Sequence, residues 1–327
     1  MKLSENQVKQ IANGYFSIGT DGGEFVFHRF SPAQEQYYLE TSPRDFYKKA
    51  LATSGVNLDF VTDSASFGFS YSVSSASSRR FYYFDIYIDN VLKYHFGEEK
   101  MWINRSRIEI PLPEGEHRVT VWLPCLAAAR LSDLKLDDGA SLRPVVHSRK
   151  MVCFGDSITQ GYDAWYPSLD YTNRLAQHFD ADMINLAIGG EKFVPGILDP
   201  AFGAAFKPDI ITVAYGTNDW SGFERELFES RCVSFLEGLP ELFPGAKIFI
   251  LTPIWRGDHK RLTKVGTFEE ACAFITETAE RCGLTVISGN NLVPHYEGFF
   301  SDLRLHPNDL GYGEYVRNLI PEIEKGL

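Results

Sequence analysis

The sequence has no apolar run approaching the ~20 residues needed to cross a bilayer. Its first residues, Met1-Lys2-Leu3-Ser4-Glu5-Asn6, lack the apolar core of a secretory leader. No membrane partner and a cytoplasmic location are therefore expected. Basic charge is also short: 32 Lys and Arg stand against 43 Asp and Glu, a net charge of -11. Nucleic-acid phosphates need a basic face, so that partner is not expected. Cysteines are few and scattered, at Cys125, Cys153, Cys232, Cys272 and Cys282. Their number is odd and none is paired in CxxC spacing, which reads as buried reduced thiols. HExxH, G-x-G-x-x-G and the P-loop are all missing, so neither a metal nor a nucleotide cofactor is expected. The G-x-S-x-G elbow of α/β-hydrolases is missing too, because Thr159 occupies its last position.

At 327 residues the chain is long for one core, and two domains are expected. Residues 1–147 read mainly as β-structure. Tyr82, Phe84, Ile86 and Ile88 share one face of an alternating segment that breaks at Asp89-Asn90 and resumes at Val91, as a hairpin would. Phe67 to Ser74, Ile108 to Ile110 and Val119 to Leu123 are further short strands, separated by turn signals. Together they predict a β-sandwich or jelly roll. Two short helices are expected within it, one after Ser4 and one after Ser42-Pro43.

From Ser148 the pattern becomes strands alternating with helices. Strands are predicted at Lys150–Phe154, Met183–Ala187, Asp209–Tyr215, Lys247–Leu251 and Leu284–Ile287. Helices are predicted at Tyr171–Phe179, Phe223–Leu239, Phe268–Cys282 and Tyr312–Glu324. Such alternation implies a parallel sheet covered on both faces, with its active site beyond the carboxyl ends of the strands. Three polar segments fall there: Gly155-Asp156-Ser157-Ile158-Thr159, Asn185 to Gly190, and Gly216-Thr217-Asn218-Asp219.

Ser157 follows a strand and a glycine, where a hydroxyl could act as a nucleophile or could simply cap a helix. Gly190 offers a bare N–H, or a plain turn. Asn218 has an amide able to donate to an oxyanion, or to close an Asx turn. His306 precedes Pro307, which keeps it extended, and Asp302 lies four residues earlier. A carboxylate on one imidazole nitrogen leaves the other free to take a serine proton. His28, His95, His117 and His147 lack an Asp partner in a comparable loop, and His178 falls inside a helix. Aromatic residues Tyr162, Trp165, Tyr166 and Trp220 lie near these segments, where they could stack on a sugar or pack in the core.

These four motifs, with His306-Pro307-Asn308 as the last, resemble those of the SGNH hydrolases, the GDSL lipase/esterase superfamily. The resemblance covers roughly residues 148–327. It implies a flavodoxin-like three-layer α/β/α domain with Ser157 as nucleophile, His306 as base and Asp302 as orienting acid. It also implies an oxyanion hole from the Ser157 N–H, the Gly190 N–H and the Asn218 side chain. Two departures stand out. Leu303 occupies the usual position of the acid, three before the histidine, so Asp302 needs a bulge or another turn to reach His306; otherwise a backbone carbonyl orients the ring. Ala187 stands where a glycine is common. The β-rich first half looks similar to the jelly-roll module of family 2 carbohydrate esterases. The expected activity is serine-dependent hydrolysis of small acyl esters, O-acetyl groups on a carbohydrate above all, with a small-molecule or glycan ester as partner. A lysophospholipase- or thioesterase-like enzyme is the second reading, and a carbohydrate-binding protein without activity is the third.

Overall fold

The computed structural model describes all 327 residues. The first part of the chain forms two antiparallel sheets packed face to face. One contains Ala12–Asn13, Asn57–Thr62, His117–Trp122, Tyr82–Ile88 and Val91–Glu98 in that order, with Arg143–Pro144 beside Asn57–Thr62. The other runs Ser17–Asp21, Glu24–His28, Ala127–Leu136, Ser66–Ser75 and Arg105–Pro111. Period-two alternation puts Phe60, Phe67, Phe69, Phe84, Val119, Val121 and Leu131 into one shared core. The hairpin at Asp89-Asn90 is present. Both residues have left-handed φ, 52° and 64°, as a type I′ turn requires.

The helices of this half differ in part from expectation. Glu5–Ile11 follows Ser4, whose hydroxyl accepts from the Gln7 N–H in a capping box. The second helix does not start at Pro43. Proline disfavours helical backbone at the residue before it, and the Ser42 hydroxyl instead receives the Phe46 N–H, so a short helix begins at Phe46 and ends at Ala50. A longer helix, Pro32–Thr41, precedes it. Its signature was present in Ser31-Pro32 with Gln34 three positions on, a capping box with proline in the first turn.

The second part is a five-stranded parallel sheet in the order Ala181–Asn185, Arg149–Gly155, Ile210–Ala214, Lys247–Leu251, Thr285–Ile287. This is the doubly wound 2-1-3-4-5 order, which places loops at the strand ends around one crevice. Alternate residues feed two cores. Val152, Phe154, Ile211 and Val213 face helices Arg225–Leu242 and Phe268–Arg281. Met151, Cys153, Ile210 and Phe249 face helices Tyr171–His178 and Asp309–Gly326.

The two halves share packing. Phe30, Tyr38 and Ala50 belong to the core under the parallel sheet, not to the sandwich core. Each large apolar side chain so buried contributes roughly 1.5–3 kcal/mol. Beside them Arg29 is fully buried, and every partner it has is a backbone carbonyl. Its guanidinium donates to Ala52 and Lys49 of the N-terminal segment and to Asn185 and Ala187 of the parallel-sheet half. Burial lowers its pKa to about 10, so it stays charged. The clamp fixes the end of the Ala181–Asn185 strand against residues 49–52.

Candidate active site

The strand Arg149–Gly155 ends at a glycine because nothing larger fits: a Cβ there would meet Thr159 Oγ1 at 2.0 Å. Asp156, not Ser157, is the helix cap, accepting the Ile158 N–H at 2.9 Å. Burial raises its carboxyl to about 6. Ser157 is thus the first residue of the helical turn Ser157–Gln160, which Gly161 closes with a left-handed φ of 92°.

The Ser157 Oγ lies 2.9 Å from His306 Nε2, and His306 Nδ1 lies 2.9 Å from Asp302 Oδ2. A carboxylate at Nδ1 favours the proton there, leaving Nε2 to accept from the serine. Asp302 reaches His306 through the turn that its position demands. Its Oδ1 accepts the N–H groups of Arg304, Leu305 and His306, and Leu303 takes a left-handed φ of 56° to allow it. The extra residue is absorbed at Leu303. Burial acts to raise the Asp302 carboxyl, but the His306 hydrogen bond and the backbone donors outweigh it and hold it well below the usual range.

A second carboxylate faces the same ring nitrogen: Asp163 Oδ2 lies 3.9 Å from His306 Nδ1. Arg79 of the sandwich grips Asp163 through Nε at 2.5 Å and Nη2 at 2.7 Å. Tyr162 stacks on the His306 ring, with the Arg79 guanidinium over Tyr162. Neither Arg79 nor Asp163 carries a motif, and sequence reasoning missed both.

Gly190 has a left-handed φ of 90°, and its N–H makes no hydrogen bond within the protein. Its neighbour Gly189 is needed for space, since a Cβ there would meet the Tyr162 hydroxyl at 2.5 Å. The Asn218 side chain is brought to this loop, donating to the Glu191 carbonyl at 3.0 Å. Asp219 ties the two loops together by accepting the Phe193 and Gly216 N–H groups. Burial pushes Asp219 and Glu191 each up to about 7.

Other expectations need correction. Four histidines of the first half do have carboxylate partners: His28 with Glu35, His95 with Asp85, His117 with Asp89 and His147 with Asp180. These pairs brace strands and loops away from Ser157. Trp220 is fully buried, donating to the Gly266 carbonyl, and has no face for a sugar. Tyr162 is buried, and Tyr166 stacks on His95. Trp165 is 40% exposed and stacks on Phe81 of the sandwich. All five cysteines are free. No group of three His, Cys, Asp or Glu side chains is placed to hold a metal ion.

A serine and an unused N–H at the ends of adjacent strands share one side of the parallel sheet with an imidazole oriented by a carboxylate in the loop before the last helix. Residues 153–313 match the GDSL-like Lipase/Acylhydrolase family. That match spans most of the second half of the chain. The protein is accordingly a carboxylic ester hydrolase. No curated protein matches the chain in sequence. Among solved structures, it is similar to a salicylyl-acyltransferase from a tetracycline biosynthetic pathway, with 20% identity over 96% of this chain and 94% of that one and a TM-score of 0.81. A family two carbohydrate esterase from Cellvibrio japonicus is also similar, with 20% identity, coverage of 94% and 96%, and a TM-score of 0.65. An acetyl xylan esterase from Butyrivibrio proteoclasticus shares 16% identity over 83% of this chain and 90% of that one, with a TM-score of 0.60. Both halves of the esterase thus have counterparts of the same fold.

Proposed function

We propose that this esterase removes small acyl groups, O-acetyl in particular, from a carbohydrate by a Ser157–His306–Asp302 mechanism. The hydrogen-bonded line from Ser157 Oγ through His306 to Asp302 carries the reading. Ser157 attacks the ester carbonyl as His306 Nε2 takes its proton. The Ser157 and Gly190 N–H groups and the Asn218 amide receive the negative oxygen. Collapse expels the alcohol, which takes the proton back from His306. Water then repeats the sequence on the acyl-serine, releasing the carboxylic acid and free enzyme.

Two observations support a small acyl group on a sugar. None of the five principal cavities, each below about 500 Å³, is lined by Ser157 or His306, and the one flanked by Asp156 and Ile158 is only about 20 Å³, which favours a short acyl group. Trp165, Phe81 and Tyr83 form a stacked, partly exposed aromatic surface of the kind that accepts a sugar ring, connected to His306 through Tyr162, against whose cluster Phe81 packs. The names of the two similar esterases agree with this class. Transfer of the acyl group to a hydroxyl acceptor instead of water is the second reading, favoured by the 0.81 TM-score to an acyltransferase.

Hydrolysis of nitrophenyl acetate, hexanoate and dodecanoate tests the proposal. Acetate is expected to be preferred, and Ser157→Ala to lower kcat/KM by roughly 1,000-fold or more. Serine-independent turnover would sink the mechanism, and a dodecanoate preference the small acyl group. Acetate release from acetylated sugars, with and without a sugar alcohol acceptor, separates hydrolysis from transfer.

A further inference from the structure

The oxyanion loop is held by a cation from outside the hydrolase half. Lys49 lies on the short helix Phe46–Ala50, and its Nζ donates to the Gly189 carbonyl at 2.7 Å. That carbonyl belongs to the same peptide unit as the Gly190 N–H. The chain contains no cis peptide bonds, so the N–H points opposite the C=O. Anchoring the oxygen on one side therefore aims the hydrogen to the other. A charged donor on the carbonyl also draws electron density from the amide and makes its N–H a stronger donor.

The rest of the loop leaves this plane no other support and no other use. The preceding N–H, on Gly189, is spent on Gln160 Oε1 at 2.6 Å. The following one, on Glu191, bonds the Ile188 carbonyl. Only the Gly190 N–H is left unbonded, and Gly190 accepts either sense of φ, so the loop's own backbone does not dictate the plane. Lys49 itself is well fixed. Its side chain is 13% exposed, it pairs with Asp45, and its ammonium lies over the Phe46 ring. Its backbone carbonyl is gripped by Arg29.

We propose that Lys49 is a positioning residue of the esterase: its ammonium orients and polarises the Gly189–Gly190 peptide so that the Gly190 N–H is preset for the oxyanion. This rests on the oxyanion role given to Gly190 in the proposed mechanism. An ammonium acting on the far side of the donor peptide favours the tetrahedral state over the ground state, so its loss falls on kcat more than on KM.

The test is steady-state hydrolysis of nitrophenyl acetate by Lys49→Met, Lys49→Arg and Lys49→Ala, each checked for native circular dichroism. Lys49→Met is expected to lower kcat on the order of tenfold or more, short of the ~100- to 1,000-fold loss of a whole oxyanion donor, with KM changed less than twofold. Lys49→Arg should keep most of kcat, and added ethylammonium should restore part of it to Lys49→Ala but not to wild type. A folded Lys49→Met with wild-type kcat, or a loss confined to KM, overturns the proposal. If Lys49→Met does not fold, the arginine variant and amine rescue decide: loss of kcat in the former with no rescue in the latter overturns it equally. Failure of the underlying mechanism is distinguishable, because Ser157→Ala would then retain activity.

Discussion

Leu303 shows how much a single backbone angle carries. A left-handed φ costs a leucine roughly 1–2 kcal/mol. In return the turn delivers Asp302 to His306 from one residue further away than usual, with three backbone N–H groups on its other oxygen. The side chain of Leu303 is 60% exposed and has no packing role to defend. Leu303→Asn is therefore expected to raise unfolding free energy by about 0.5–1 kcal/mol in urea titration, with kcat unchanged, because asparagine tolerates this conformation. Asp302→Asn should lower kcat by about tenfold or more; an unchanged rate would point to backbone orientation of the imidazole. The Asp302 carboxyl is held low in the folded state, so its stabilisation is present at neutral pH. That contribution is lost as pH falls below the ordinary aspartate range.

At the scale of elements, the loops after the strands are held by buried carboxyls. Glu191 has one oxygen on the Lys192 N–H and the other without a partner. Its pKa of about 7, against an ordinary 4.5, means the folded state keeps a proton that the unfolded state has released. Stability therefore falls as pH rises through that window and levels off above it. Glutamine cannot ionise, so Glu191→Gln should gain on wild type between pH 5 and pH 8, by up to roughly 3 kcal/mol in urea midpoints. Asp156 and Asp219 are common to both proteins and cancel in the comparison. An equal pH dependence would show that Glu191 is already ionised at pH 5.

The same elements explain what could be read in advance. Strands and helices of the second half follow from hydrophobic period, and the chemistry-bearing residues sit at strand ends because a parallel sheet leaves them nowhere else. The helix at Pro32 was legible from its capping box but is half polar, so period alone conceals it. Lys49, Arg29 and Arg79 were not legible. Each acts on atoms more than 80 residues away, two of them only through backbone carbonyls, which every sequence supplies equally. The pairing of the first-half histidines escaped for the same reason: only strand register brings His95 to Asp85 and His117 to Asp89.

For the whole molecule, the sandwich half and the hydrolase half are not separable parts. Removing residues 1–147 would strip Phe30, Tyr38 and Ala50 from the core under the parallel sheet, Lys49 from Gly189 and Arg79 from Asp163. Residues 148–327 produced alone are expected to bind a hydrophobic dye such as ANS and to hydrolyse nitrophenyl acetate at least about tenfold more slowly. A compact, fully active fragment would refute this. The fully buried Arg29 extends the point to synthesis. The carbonyls of Asn185 and Ala187 that its guanidinium needs lie 156 and 158 residues downstream. While the ribosome is still making the first half, only the Lys49, Ala50 and Ala52 carbonyls are at hand, and the rest of that charge is left to water. The N-terminal segment is therefore expected to complete its packing only once the second strand of the parallel sheet has emerged, and a pause in translation before that point should lengthen the interval in which Phe30 and Tyr38 are exposed.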